Sequence, residues 1–154
     1  MSLRTTMLDE LVARLAAING SGGGYNYTNR KATWKEFMLP DETAHYPVTY
    51  VLTDATQLVG GQIGTQDQSD EIPVIIWGYV KSVKNPQEVA EKFLFDICKG
   101  ILTNRTTSNK DASLADTCAA FRITGKDIVG DLLTERRTVE VTLSVRMHTS
   151  GDSI

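Results

Sequence analysis

At 154 residues, with 41% hydrophobic and 23% charged side chains, the chain has an ordinary globular composition and enough length to bury a core without metal or disulfide staples. A formal net charge of −3 and a pI near 5.4 leave no basic footprint of the kind nucleic-acid binders carry. No run reaches the length of a membrane span, and the N-terminus lacks a signal peptide's apolar block. The expectation is one domain, 1–154, made in a reducing cytosol, with its two cysteines, Cys98 and Cys118, as small buried hydrophobes.

The chain opens with an amphipathic helix over Thr6 to Ile18, in which Leu8, Leu11, Val12, Leu15 and Ala16 repeat at helical spacing. Thr6 with Asp9 resembles a capping box, Glu10 and Arg14 form an i,i+4 pair, and Asn19-Gly20 ends the helix. Ser21-Gly-Gly-Gly24 follows a helix rather than preceding one and lacks Gly-Lys-Ser/Thr, so it reads as a turn and not a phosphate loop. Tyr25 and Tyr27 alternate as in a strand, and Trp34 and Phe37 continue an extended aromatic segment. Pro47, without an N–H, suits the start of a strand from Val48 to Thr53.

Asp54 to Glu71 is the longest irregular stretch, rich in Gln, Gly, Thr and Asp, and reads as a solvated hairpin arm able to order against a partner. Its acids lack EF-hand spacing. From Pro73 to Val83 runs a β-branched and aromatic strand predicted to be buried on both faces, with Val74, Ile76 and Val80 on one and Ile75, Trp77, Tyr79 and Val83 on the other. Asn85, Pro86 and Glu88 then start a helix through Thr103. Its apolar stripe is Val89, Phe93, Ile97 and Ile101, flanked by Ala90, Leu94 and Cys98.

Beyond a polar loop from Asn104 to Asp116, Thr117 to Thr124 is predicted as a strand, Gly125-Lys-Asp127 as a tight turn and Ile128 to Leu133 as a short strand. After polar Thr134 to Arg137, the last strand alternates Val139, Val141, Leu143, Val145 and Met147 with Glu140, Thr142, Ser144, Arg146 and His148. One of its faces is core; the other is wet or covered by a neighbouring subunit. The order implies an α+β fold, a mostly antiparallel sheet with two main helices packed against it.

Catalytic constellations are scarce. His45 and His148 have no metal-ligand spacing, no Gly-x-Ser-x-Gly elbow occurs, and the cysteines lack a CxxC context. No cofactor or metal is expected. Lys81, Lys84, Lys92 and Lys99, and Arg136 with Arg137, read as solvated charges rather than DNA contacts. What remains is surface for protein contact, including free strand edges.

The pattern resembles the tail terminator (tail completion) proteins of tailed bacteriophages. The resemblance follows the order of Leu15-Ala-Ala-Ile-Asn-Gly20, Tyr25-Asn-Tyr27, Tyr46-Pro-Val-Thr-Tyr50, Ile75-Ile-Trp-Gly-Tyr-Val80, Pro86 through Glu91, Phe95-Asp96-Ile97 and Val139-Glu-Val-Thr-Leu-Ser-Val-Arg146. It implies a non-enzymatic virion protein, a homohexameric ring at the neck that caps the tail tube and meets the head-side connector, with the sheath protein as a further partner in a contractile tail. DNA would pass the pore without specific binding, and the negative subunit charge suits that, because phosphate repels carboxylate. Candidate interface residues are Gln57, Leu58, Gln62, Gln66, Asp67 and Asp70 on the arm, Arg105 and Lys110 on the second loop, and Arg136 and Arg137. The competing readings are a head–tail joining or head-closure protein, a small ligand-binding domain with a pocket near Trp34, Trp77 and Tyr79, and, least favoured by charge, a nucleic-acid binder.

Overall fold

A computed structural model describes residues 3–21, 24–35, 46–53, 57–59, 69–102, 118–130 and 134–147. Helix α1 (Leu3–Ala16) is followed by strands β1 (Ala32–Thr33), β2 (Val48–Thr53), β3 (Gln57–Val59) and β4 (Ser69–Lys81). Helix α2 (Pro86–Leu102) and strands β5 (Cys118–Val129) and β6 (Arg136–Met147) complete the order. The strands form one sheet, β1-β2-β4-β6-β5, with β3 also paired to β4. Every pairing is antiparallel except β1 with β2. The fold is α+β, as the alternation of patterns implied.

β4 is the spine of the sheet. Its even-numbered side chains Ile72, Val74, Ile76 and Val80 are at most 2% exposed, and they meet Val139, Val141, Leu143 and Val145 of β6, all fully buried. Both helices lie over this face, α2 on β4 and β6 and α1 on β1 and β2. The odd face of β4 departs from the expectation of burial on both sides. Ile75, Trp77 and Tyr79 are only half-buried, because no helix of the described chain covers them, and Val83 lies beyond the strand, 78% exposed.

α2 is seated directly over Gly78. A Cβ at that position would stand 2.8 Å from both Ile97 Cδ1 and Phe93 Cε2, so the missing side chain admits the helix. The buried face is Ala90, Phe93, Asp96, Ile97, Gly100 and Ile101. Val89, Leu94 and Cys98 are half-buried flanks, so the true stripe is turned slightly from the predicted one. Gly100 makes a second close approach, where a Cβ would meet Ile18 Cγ1 at 2.9 Å.

Asp96, fully buried, ties the helix to the chain crossing it. Its carboxylate accepts the backbone N–H of Asn26 at 2.9 Å and of Tyr27 at 2.9 Å, and the Asn26 side-chain amide at 3.1 Å. Bonded this way a buried carboxylate is satisfied, and it holds residues 24–31 as an irregular strap rather than the predicted tyrosine strand. Asn29 continues the strap by donating to Leu15 O (3.0 Å) and to Thr49 Oγ1 (2.8 Å). The strap becomes strand only at Ala32–Thr33.

Further expectations are corrected. α1 starts at Leu3, so Thr6 lies inside the helix and is no cap, and Met7 replaces exposed Ala16 in the buried stripe. Arg14 does pair with Glu10 at 3.2 Å, but it is buried and also donates to Ile101 O at 2.6 Å, a carbonyl in the last turn of α2. The predicted turn at Gly125-Lys-Asp127 is strand, and β5 runs unbroken with a register shift between Ile123 and Gly125. A bulge keeps a polar, glycine-containing segment in the ladder while bending it. β6 begins at Arg136, three residues early.

At the start of α2, Asn85 donates to Glu88 Oε2 at 2.8 Å, and Lys92 sits 3.1 Å from the same carboxylate. The Asn85 bond first, then Lys92, holds the Glu88 carboxyl below its ordinary value of 4.5. A depressed carboxyl stabilises the fold above its ordinary value and loses that contribution as pH falls through the lowered one. An Asn85→Ala variant is expected to raise the Glu88 titration midpoint toward 4.5, read by NMR. Phe93→Ala is expected to cost about 3–5 kcal/mol in urea unfolding as a cavity. Gly78→Ala is expected to cost about 1–3 kcal/mol by overpacking against the same helix. A wild-type midpoint in both would mean α2 does not lie there.

Candidate interaction surface

Where the expected arm is described, at Gln57–Val59 and from Ser69 to Glu71, its two sides pair antiparallel. Leu58 pairs with Asp70 and Gln57 with Glu71, and Glu71 pairs on its other side with Arg146, so β3 extends the edge of β4 that β2 occupies further along. Part of the stretch read as irregular is therefore strand, and β4 starts four residues before Pro73. The predicted contact residues separate. Gln57, Leu58 and Asp70 stand together at the hairpin root, while Arg136 and Arg137 lie at the far end of β6 opposite Lys81 and Val80, about 30 Å away by strand rise. Gln62, Gln66, Asp67, Arg105 and Lys110 lie outside the described residues, as do His45, His148 and Phe37.

Arg137 is 4% exposed and corrects the reading of a solvated charge. Its guanidinium donates to Thr134 O (2.9 Å), Arg136 O (2.8 Å) and Gln87 Oε1 (3.3 Å), joining the approach to β6 to the first turn of α2. Gly130 leaves room for its stem, since a Cβ there would meet Arg137 Cδ at 2.6 Å. The period-two pattern of Val139 to Val145, carried back one step, puts residue 137 on the core face; that was the overlooked signal.

The face of the sheet away from the helices carries buried Tyr50 and half-buried Trp77 and Tyr79 beside Thr138, Glu140, Thr142 and Ser144. Trp77 Nε1 donates to Glu140 Oε2 across the strands at 3.2 Å. Tyr50 and Tyr79 meet edge to face at 5.8 Å, and burial, then Tyr50, pushes the Tyr79 hydroxyl above its ordinary pKa. Trp34 is elsewhere, packed against the core on the helix side with Nε1 donating to Asp9 Oδ1 at 2.8 Å. The pocket expected from Trp34, Trp77 and Tyr79 is thus not assembled, because the sheet separates them.

A different cleft exists. Glu71, Phe121, Arg122, Ser144 and Arg146 line an open depression of about 250 Å³ where β4, β6 and β5 meet. Ser144 Oγ donates to Glu71 Oε1. Arg122 and Arg146 are exposed, sit diagonally across β5 and β6, and form no ion pair with a described residue. Sequence reading missed this cleft because it depends on register, which brings Glu71 beside Arg146 and Arg122 beside Ser144.

The lysines do not gather into a basic patch. Lys81 faces Glu135 at 4.0 Å, Lys92 pairs with Glu88, and Lys99 donates to Gly24 O at 3.1 Å beneath the Tyr25 ring. Cys98 is a half-buried free thiol whose pKa burial pushes up, with Lys126 opposing. Among the described residues no three His, Cys, Asp or Glu side chains stand close enough to hold a metal ion, and no helix is long and apolar enough to cross a membrane.

No family model and no curated relative matches the chain. Among solved structures it is similar to a chain of the "Virion of native gene transfer agent (GTA) particle", with TM-score 0.54 and 10% identity over 96% of each chain. At that identity the similarity is one of fold.

Truncating Arg137 separates scaffold from surface. Arg137→Ala is expected to lower unfolding free energy by about 1–3 kcal/mol through lost buried hydrogen bonds. Arg122→Ala should stay within about 0.5 kcal/mol of wild type in the same denaturant titration. Equal effects would contradict the inward role of Arg137.

Proposed function

We propose that the protein is a structural component of a phage-like virion, a ring-forming tail terminator that caps the tail tube and meets the head-side connector. The observation that carries this reading is the full-length fold similarity to a chain of a gene transfer agent virion. The resemblance of the sequence to tail terminator proteins points the same way. The architecture suits a ring subunit. Among the described residues both borders of the sheet end in strands with one unpaired side, β5 at one and β3 and β1 at the other. A closed ring needs two different complementary patches on each subunit, and opposite borders of one sheet meet that need.

In this reading the arm residues Gln57, Leu58, Gln62, Gln66, Asp67 and Asp70, with Arg105, Lys110 and Arg136, are contacts to neighbouring subunits or to tube protein. DNA passes the pore without sequence-specific contact, so the lumen is neutral or acidic. A head-closure role shares the ring and differs in its partner, binding connector but not tube.

The purified protein is expected to give the mass of a hexamer by light scattering, alone or on the ends of cognate tail tubes, with annular particles in negative stain. A monomer indifferent to tubes would overturn the terminator role. A ring that binds only connector would move the assignment to head closure, and a lumen lined by Lys and Arg would contradict the expected pore.

A further inference from the structure

We infer that the β1 edge of one copy pairs antiparallel with the second half of β5 on the next, seating Asp127 opposite Thr33 and between Lys31 and Lys35. This rests on the proposal that copies of the chain assemble in a ring, and it names the two edges that would join them.

The two edges lie level with each other. Thr33 pairs with Tyr50, Tyr50 with Trp77, Trp77 with Glu140, and Glu140 with Asp127. The adjacent line runs from Ala32 through Thr49, Gly78 and Val139 to Ile128. β1 and residues 126–129 therefore stand at one height on opposite borders of the sheet. Among the described residues neither has a partner on its outer side. A rotation about an axis along the strands keeps that height and carries one edge to the other.

Their directions also match. β1 runs parallel to β2, and each step from β2 through β4 and β6 to β5 is antiparallel. β1 and β5 consequently point in opposite directions, and the same rotation sets β1 antiparallel to the neighbour's β5. Main-chain hydrogen bonds then continue from copy to copy, and two edges are closed to uncontrolled pairing. The register shift between Ile123 and Gly125 separates this straight segment of β5 from the half that borders the cleft.

The side chains at this register are complementary on both faces. Asp127 is exposed, shares the face of Trp77 and Glu140, and forms no ion pair with a described residue; its Oδ1 accepts the Ile128 N–H at 2.8 Å. Lys31 lies over the Tyr50 ring at 5.8 Å, on the same face, and Lys31 and Lys35 are both exposed two residues to either side of Thr33. Diagonal neighbours across an antiparallel pair are within reach of long side chains, so both ammonium groups can approach the carboxylate. Val129, 51% exposed, comes opposite Lys31, whose aliphatic stem can cover it. On the other face exposed Lys126, level with Val141, comes opposite Trp34, a cation beside an indole ring.

Charge exchange tests this in the full-length protein, alone or on tube ends, wherever wild type assembles. The variants are D127K, K31E/K35E and the threefold combination, with thermal unfolding midpoints establishing that each is folded. D127K and K31E/K35E are each expected to associate at least about tenfold more weakly than wild type by sedimentation, because like charges face each other at every joint. The threefold variant, and an equimolar mixture of D127K with K31E/K35E, should recover association to within about threefold of wild type. D127N, which removes charge without reversing it, should fall between, and K35E alone, which leaves the Lys31–Tyr50 contact intact, should weaken association less than K31E/K35E. Folded variants that assemble as wild type does, or folded combinations that fail to recover, overturn this pairing and leave the ring reading standing. A wild-type chain that stays monomeric alone and on tubes overturns both.

Discussion

The structure depends on how closely α2 approaches the sheet. Gly78 on β4 leaves the space that Phe93 and Ile97 fill, and those two side chains reach the centre of the buried face because nothing stands between helix and strand. Interiors are packed at crystal-like density, so a contact made at one glycine fixes the height of the whole helix above the sheet. Everything attached to α2 follows from that height. Asp96 is carried down to where it accepts the amides of Asn26 and Tyr27, and Ile101 to where its carbonyl accepts from Arg14. Gln87 is placed within reach of Arg137.

The buried polar residues share one task. Asp96, Arg14, Asn29 and Arg137 each bond backbone atoms of a segment distant in the chain or at an element's end, where the main chain lacks a ladder partner. They lock the strap and the helix ends to the sheet, so one side of the molecule is fixed by packing and by hydrogen bonds together. The opposite side of the sheet has no such cover among the described residues. Trp77 and Tyr79 on it are half-buried and Tyr50 is buried, the Trp77–Glu140 hydrogen bond runs between neighbouring strands, and among the described residues its borders keep unpaired edges.

The candidate surface belongs to that open side. There the register brings Glu71, Arg122, Ser144 and Arg146 together around the cleft. Arg122 and Arg146 stand exposed there, whereas Arg137, of the same charge, holds the β6 end together. Location in the fold, not residue type, distinguishes the two.

The sequence by itself determined both helices, β2, the central strand and the last strand, with the buried faces of α2 and β6. The period-two run in Val139–Val145 fixed which side chains of β6 are core, and the spacing of Phe93, Ile97 and Ile101 the buried face of α2, because burial of apolar side chains is a local pattern that secondary structure repeats; in β4, apolar on both faces, the pattern alone did not choose the core face. The parity of β6 even carried Arg137 inward. What only the tertiary structure decided are features made by register and by long-range bonds. The pairing of Glu71 with Arg146 creates the cleft, and the bulge after Ile123 turns an expected hairpin turn into one continuous strand. Asp96 is core only because two backbone amides some seventy positions away come to meet it. A polar or glycine residue has no periodic signature that says which partner will satisfy it, and that partner exists only once the chain has closed on itself.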